Sequence, residues 1–158
     1  MSRRDKSGDR GWLFITGGTH RRLPLFRNPQ FCGIVLQNLR FYRRKYGLDV
    51  MGYVLLPDHY HLLLAMPEGV GLADFLRDFK SQVGRQIVEV LKSDGQSKLL
   101  QRMAVGRARR WKDARYRALQ ADNHVRRIFS ERFLRQKLEA VSKLSQCPDR
   151  GKSERLRG

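Results

Sequence analysis

Residues 53–67, YVLLPDHYHLLLAMP, decide the fold of this chain. They span most of two largely apolar runs, 49–56 and 59–66. Pro57 and Asp58 separate the runs and are typical of a turn. Each run has the length and composition of a β-strand. Because the connection is so short, the two strands are predicted to pair in antiparallel orientation.

Glycine, proline and asparagine mark where the neighbouring elements begin and end. Gly17 and Gly18 are expected to end a short first strand. Asn28 and Pro29 are typical of a helix N-cap followed by the first helical residue, and Gly47 is expected to end that helix. These residues place one strand and one helix before the strand pair.

The order of the elements predicts the fold class. In chain order they are a strand at 12–16, a helix at 29–46, strands at 49–56 and 59–66, a helix at 72–91, a strand at 115–119 and a last helix that follows Ser130. The first six match the split βαβ, or ferredoxin-like, sandwich. The sequence therefore predicts an α+β fold with an antiparallel sheet, helices on one face and an extra C-terminal helix. The other face is expected to be free to hold a ligand.

Length and composition indicate one globular domain with an anionic partner. The chain has 158 residues, of which 41% are hydrophobic, and we expect a single domain over 11–146 with flexible basic tails at 1–10 and 147–158. Lys and Arg total 33 against 15 for Asp and Glu, a net charge of +18. Such an excess predicts a polyanion as partner, with nucleic acid first and an anionic membrane surface second.

Several protein classes are disfavoured. No apolar run approaches the roughly 20 residues of a membrane span, and no apolar segment follows the charged N-terminus as a secretory signal would. The two cysteines, Cys32 and Cys147, lie far apart in the sequence and form no ligand cluster, which disfavours a disulfide scaffold and a Cys-type zinc module. We therefore expect a cytoplasmic protein without a membrane partner.

Half of the excess positive charge lies in about a quarter of the chain. Residues 101–137 hold 12 basic and 3 acidic side chains. Guanidinium groups contact phosphates, and aromatic rings between them, here Trp111 and Tyr116, can stack on unpaired bases. The predicted DNA-binding residues of this stretch are Arg107, Arg109, Arg110, Arg115 and Arg117. The alternative is a solvated surface with no ligand.

His59 and His61 are the candidate site residues of the strand pair. Side chains alternate along a strand, so both imidazoles are expected on one face, with Cα atoms roughly 6.6 Å apart. Tyr60, Leu62 and Leu64 are expected on the other face, against helices. Two imidazoles can hold a divalent cation, although a third ligand has to come from elsewhere. The alternative is a chance pair of structural or solvated histidines.

The same residues resemble a known family. The His-hydrophobe-His string on a strand, which follows Tyr-Val-x-x-Pro-Asp and precedes three leucines, looks like the HUH motif of single-tyrosine transposases. More narrowly it resembles the REP-associated tyrosine transposases. Residues 19–26 resemble the segment between the first strand and first helix of that family, and residues 78–81 resemble the start of its second helix. The resemblance covers about 15–85.

The resemblance implies a reaction. Two histidines, here His59 and His61, and a third polar side chain hold Mg²⁺ or Mn²⁺, which polarises the scissile phosphate of single-stranded DNA, often beside a hairpin. A tyrosine on a later helix attacks the phosphorus, which leaves a 5′-phosphotyrosine and a free 3′-OH. The implied partners are single-stranded or hairpin DNA and a second copy in a homodimer. The implied location is the bacterial cytosol or nucleoid.

The tyrosine position departs from the family pattern. In the segment 137–141 that resembles the nucleophile helix, Ala140 stands where the tyrosine is expected, and Leu144 stands at the position of the third ligand. Of the other tyrosines, Tyr116 is the one in a DNA-facing setting. Three functions therefore stay open. They are metal-dependent DNA cleavage and strand transfer, non-catalytic single-strand binding on the same fold, and a phosphodiesterase that uses both histidines as general acid and base.

Overall fold

The computed structural model describes residues 11–106 and 115–144, with side chains up to Glu139. The strands are β1 Trp12–Thr19, β2 Asp49–Leu56, β3 His59–Ala65, β4 Ala104–Val105, β5 Arg115–Tyr116 and β6 Leu119–Ile128. The helices are α1 Pro29–Tyr46, α2 Leu72–Ser93, α3 Ser97–Met103 and α4 Glu131–Leu144, and two short 3₁₀ turns, His20–Arg22 and Leu25–Arg27, join β1 to α1. Within these ranges no helix is both long and apolar enough to cross a membrane.

The main sheet has four antiparallel strands in the order β2-β3-β1-β6. This arrangement confirms the predicted ferredoxin-like class, because the second β-α-β unit inserts its strands beside those of the first. The predicted pairing of the strands on either side of Pro57 and Asp58 is also confirmed, with Leu56 opposite His59.

The fourth strand differs from the prediction. Arg115 and Tyr116 belong to a separate two-stranded sheet with β4, and the main-sheet strand is β6. Of the ten residues of β6 only Leu119 and Ile128 are buried. Among the described strands, β6 lies at the edge of the sheet. Most of its side chains are exposed and polar, so β6 lacks the apolar run by which strands are recognised.

The first face of the sheet, which we define as the one that carries α1 and α2, holds the main core. Tyr60, Leu62 and Leu64 are at most 1% exposed there, as predicted from strand alternation. The predicted limits of α1 are confirmed as well. The Asn28 side chain accepts a hydrogen bond from the Gln30 N–H at 2.9 Å, and Gly47 ends the helix at φ 69°.

Gly17 and Gly18 do not end β1, which continues to Thr19. A Cβ atom at Gly17 would lie 2.2 Å from Cζ of Tyr60, and one at Gly18 would lie 2.9 Å from the Gln120 side chain. The two glycines therefore allow neighbouring side chains to cross close over the strand. The prediction took them for a strand end because glycine more often stands in turns.

The second face, which carries α4, is divided into an apolar and a polar part. Phe14, Val54, Leu63 and Ile128 form a small buried cluster on it. Three side chains of α4 pack against this cluster, namely Phe133, Leu134 and Leu138. The helix begins where Ser130 Oγ accepts a hydrogen bond from the Phe133 N–H at 3.2 Å, which agrees with the predicted cap. The extra C-terminal helix thus covers part of the face that was expected to be free.

Candidate functional site

The two histidines of β3 lie together on the second face. His61 stands opposite Val54 on one side and Thr16 on the other, and His59 lies two residues earlier on the same face. The centroids of the two imidazole rings are 5.1 Å apart, with the ring planes at 81°. The strand therefore brings both rings to one place, as the alternation predicted.

Asp58 holds the ring of His59 in a defined orientation. The Nδ1–H of His59 donates to Oδ1 of Asp58 at 2.7 Å, and an Arg22 guanidinium lies 3.9 Å from Oδ2 of the same carboxylate. The hydrogen bond from His59 is the main reason that the pKa of Asp58 lies below its usual value. A carboxylate that accepts from Nδ1 leaves the lone pair of Nε2 directed outward, which is the usual arrangement behind a metal-binding histidine.

His61 is a neutral imidazole with one nitrogen already engaged. Its Nδ1 lies 2.8 Å from Oγ1 of Thr16, and its ring stacks on Phe14 at 5.1 Å between centroids. Burial, and then the charges of His59 and Lys137, lower the pKa of His61 to about 4. When Nδ1–H donates to Thr16, Nε2 keeps its lone pair at neutral pH, so this ring is also able to act as a ligand.

A strained turn lies beside the pair. Arg21 and Arg22 adopt left-handed backbone conformations, with φ of 52° and 56°, and such conformations cost about 1–3 kcal/mol each for a residue with a side chain. Thr19 holds the turn in place. Its hydroxyl donates to the Leu23 carbonyl at 2.7 Å and lies 3.0 Å from the Asp58 carbonyl, which also accepts the Thr19 N–H at 2.9 Å. The turn thus carries two exposed arginines, and the guanidinium of Arg22 lies next to the carboxylate that orients His59.

A lysine of α4 lies near the histidine pair, on the side away from Asp58 and Arg22. Nζ of Lys137 lies 4.7 Å from the ring centroid of Phe14, the ring on which His61 stacks, and 5.2 Å from that of Phe133. Sequence reasoning missed this lysine. Its spacing of four residues from Phe133 places it on the helix side that meets the sheet, but which strand that side covers depends on how α4 docks.

Edge strand β6 adds further polar residues to the second face. His124 stands opposite Thr16, and Arg126 stands opposite Phe14, so both side chains share the face of the histidine pair. Both are exposed. Sequence reasoning missed these two residues because β6 itself was not recognised.

The described members of the predicted arginine cluster, Arg115 and Arg117, lie in a groove away from the histidine pair. Arg107, Arg109 and Arg110 lie outside the described residues. Arg115 and Arg117 are exposed and line a groove of about 910 Å³ between α2 and β6. The other basic residues that line it are Arg77, Lys80 and Arg85. We call it the edge groove.

The lining residues of the edge groove differ in how strongly they are engaged. The side chains of Arg77 and Arg85 pair with acidic neighbours on α2, and Lys80 donates to backbone carbonyls of β6. In the described ranges, Arg115 and Arg117 have no carboxylate within 4.0 Å. They are therefore the lining cations that remain for a bound anion.

The tyrosines lie away from the histidine rings. All five tyrosines of the chain fall within the described residues, and each packs against the main core, namely Tyr42, Tyr46, Tyr53, Tyr60 and Tyr116. Tyr60 is 1% exposed and its hydroxyl donates to Asn123 on the first-face side. Tyr116 is partly buried, with the Lys92 ammonium 5.4 Å from its ring. No tyrosine hydroxyl is thus placed to attack a phosphate at the histidine pair.

The donor set of the pair fits a cation held at two points. Nδ1 of each ring is engaged by Asp58 or Thr16, which leaves the two Nε2 atoms for a ligand. In the described part of the chain, no group of three or more His, Cys, Asp or Glu side chains is able to surround one ion. The remaining coordination positions would go to water or to phosphate oxygens. Imidazole nitrogen is more typical of zinc, copper, iron and nickel sites, whereas Mg²⁺ and Mn²⁺ are usually bound by oxygen, so this donor set does not distinguish the two expected cations.

Two solved structures have a fold similar to that of this chain. A REP-associated tyrosine transposase bound to a REP hairpin superimposes with a TM-score of 0.57 at 16% sequence identity, over 90% of this chain and 70% of the other. The chain shares the fold of this transposase. A protein of Deinococcus radiodurans R1 with a provisional description as a transposase gives a TM-score of 0.55 at 16% identity, over 91% of this chain and 98% of the other. No protein-family model and no curated protein matches the sequence. At this level of identity the likeness is one of fold.

Proposed function

We propose that the protein binds single-stranded DNA, including single strands beside a hairpin, by holding a backbone phosphate at His59 and His61 together with a divalent cation. The observation that carries this proposal is the pair of adjacent imidazoles, each with Nδ1 engaged, on the polar part of the second face. A REP hairpin is the ligand in the structure of the transposase with the same fold, which supports DNA as the polyanion.

Each neighbouring residue has a definite task in this proposal. Asp58 fixes the ring of His59, and Thr16 together with the stacked Phe14 ring fixes His61, so both Nε2 atoms are held in place before a ligand arrives. A divalent cation, when bound, supplies positive charge that polarises the P–O bonds of the phosphate. The guanidinium group of Arg22 adds positive charge beside the pair, and Arg21 adds a second exposed arginine to the same turn.

The edge groove is proposed as a second contact with the strand. Arg115 and Arg117 are exposed and line a groove of about 910 Å³, whose charged lining residues are five basic side chains and one acidic side chain, Asp122. Phosphate contacts of this kind position a nucleic acid without reading its sequence. A strand bound at both places would pass over edge strand β6, whose exposed His124 and Arg126 lie on the second face.

Of the functions left open by the sequence, non-catalytic binding is the one we propose. The packing of all five tyrosines against the main core supports it, because a 5′-phosphotyrosine needs a tyrosine hydroxyl next to the phosphate. Alanine at 140 has no hydroxyl, so that helix position cannot replace them. A homodimer and a place in the bacterial cytosol or nucleoid stay predictions of the resemblance.

Adduct trapping on labelled hairpin DNA with a single-stranded flank tests the proposal. With Mn²⁺ present we expect retained binding, intact DNA and no covalent protein–DNA product after denaturation. A product that maps to a tyrosine would contradict the proposal and favour strand transfer. Cleavage that persists in chelator would instead favour general acid and base chemistry by the histidines.

The metal requirement is tested with the same DNA. We expect Mn²⁺ to strengthen binding to the wild-type protein, and we expect His59→Ala or His61→Ala to remove that increase. The matched control is His20→Ala, because His20 lies in the turn after β1 and outside the pair. Binding that is equal with and without Mn²⁺, and unchanged in both variants, would contradict a role for the histidines.

A further inference from the structure

We infer that Lys137 contacts a DNA phosphate at the histidine pair and that its charge also weakens the binding of a cation there. The inference rests on the proposed function and adds a residue that neither the sequence pattern nor the shared fold assigns. Because Lys137 is inferred to strengthen DNA binding and to weaken cation binding, its replacement should change the two affinities in opposite directions. Loss of a purely structural side chain would not do so.

The position of the ammonium group carries the inference. Nζ of Lys137 is 4.7 Å from the Phe14 ring centroid, and that ring stacks on His61 at 5.1 Å. Phe14 stands on the same sheet face, two residues before the Thr16 that contacts His61. The ammonium therefore approaches the imidazoles from the side of α4, whereas Asp58 and Arg22 approach from the opposite end of β3.

Among the described residues, the contacts of Lys137 are with aromatic rings and not with hydrogen-bond acceptors. Two aromatic rings, Phe14 and Phe133, face the ammonium and attract its charge, but an aromatic ring does not replace the acceptors that three N–H donors require. Among the described residues no carboxylate lies within 4.0 Å of Lys137. A phosphate oxygen held over the pair would supply the acceptor that the protein does not.

The same charge acts in the opposite sense on a cation. Like charges repel, and the repulsion between an ammonium and a divalent ion is largest where apolar side chains lower the local dielectric constant, as Phe14 and Phe133 do here. Asp58 is the acidic residue hydrogen-bonded to the pair. It accepts from His59, and its other carboxylate oxygen lies 3.9 Å from Arg22. A cation at the histidines is therefore bound weakly until a phosphate neutralises Lys137, so DNA and cation are expected to strengthen each other's binding.

The test measures both bindings in the same variants of the full chain. Lys137→Gln removes the charge, Lys137→Arg keeps it, and Lys45→Gln is the matched control, because Lys45 also lies over aromatic rings but on α1, away from the second face. The probes are Mn²⁺ alone, and a labelled single-stranded oligonucleotide in chelator over a range of salt concentrations. Thermal unfolding shows that each variant is folded.

Opposite changes are the expected result. Lys137→Gln should bind Mn²⁺ about 3- to 10-fold more tightly, should bind the oligonucleotide several-fold more weakly, and should lower the salt slope by about 0.7, the value for one lost phosphate contact on a single strand. Lys137→Arg should stay close to wild type in both. Affinities that fall together, or a Lys137→Gln variant that behaves like Lys45→Gln, would overturn the inference.

The results distinguish a failure of the inference about Lys137 from a failure of the proposed function. If wild-type protein binds no Mn²⁺, the cation part of the proposed function fails, and so does the second effect assigned to Lys137. The oligonucleotide arm, which is measured in chelator, still decides whether Lys137 contacts phosphate. If wild-type protein binds Mn²⁺ at the histidines and Lys137→Gln changes neither affinity, the inference alone fails.

Discussion

The two faces of the main sheet use the same strands for different purposes. On the first face, Tyr60 and Leu62 of β3 are at most 1% exposed beneath α1 and α2. On the second face, His59 and His61 of the same strand stay accessible, and a single helix covers only the apolar cluster beside them. The alternation of side chains thus lets one strand stabilise the fold on one side and present the proposed binding site on the other.

The largest expected effect is on stability and is confined to the first face. Leu62→Ala should lower the free energy of unfolding by about 2–5 kcal/mol, because the side chain is fully buried and its removal leaves a cavity. Its neighbour on the other face gives the matched comparison, and His61→Ala should cost less than about 1 kcal/mol. Urea denaturation measures both. Equal decreases in the free energy of unfolding in the two variants would show that the two faces do not differ in their contribution to stability.

The second prediction concerns the support of the histidine pair. Asp58→Asn should weaken Mn²⁺ binding by about 10- to 100-fold, since a lost carboxylate partner no longer orients the ring of His59. Asp74→Asn is the control, because Asp74 is an exposed residue of α2 paired with Arg77. Calorimetric titration with Mn²⁺ measures the change. An unchanged affinity in Asp58→Asn would show that the carboxylate does not orient a ligand.

The third prediction sets stability against binding on the second face. Arg21→Gly and Arg22→Gly should each raise the free energy of unfolding by about 0.5–1 kcal/mol, because glycine adopts positive φ without strain. Both should weaken binding of single-stranded DNA. The control is Arg27→Gly, at a residue of the next turn without positive φ, which should not stabilise. Destabilisation by Arg21→Gly would indicate that the turn is not strained.

The smallest effect is expected at the edge groove. Arg115→Gln and Arg117→Gln should each reduce the slope of log affinity against log salt by about 0.7 for single-stranded DNA, with little change in Mn²⁺ binding. Arg44→Gln, at an exposed residue of the last turn of α1, is the control and should leave the slope unchanged. A slope that is unaffected in Arg115→Gln and Arg117→Gln would remove the edge groove from the DNA path.

The sequence predicts the first face better than the second. Periodicity identifies the strand pair and the two long helices. Alternation places both histidines on one face of β3 and Tyr60 and Leu62 on the other, since these features depend on local pattern alone. The capping of α1 by Asn28 and Gly47 is likewise a local property. These features fix the ferredoxin-like core and one strand of the site.

The features that the sequence does not predict depend on tertiary contacts. Among the described strands, β6 lies at the edge of the sheet and is mostly polar, and Gly17 lies inside β1 because the Tyr60 ring crosses it. Lys137 enters the site only through the docking of α4 onto Phe14. Arg115 lines the edge groove between α2 and β6 and does not lie at the histidine pair. The number of charges along the sequence does not predict this position.

Pulsed electron paramagnetic resonance of Mn²⁺ bound to protein labelled with ¹⁵N-histidine shows whether His59 and His61 hold the cation. We expect couplings to two imidazole nitrogens in the wild-type protein, to one in either His59→Ala or His61→Ala, and to none when both are replaced. His20→Ala and His124→Ala should leave the two couplings unchanged. A signal without imidazole coupling, or one that survives replacement of both His59 and His61, would contradict the account.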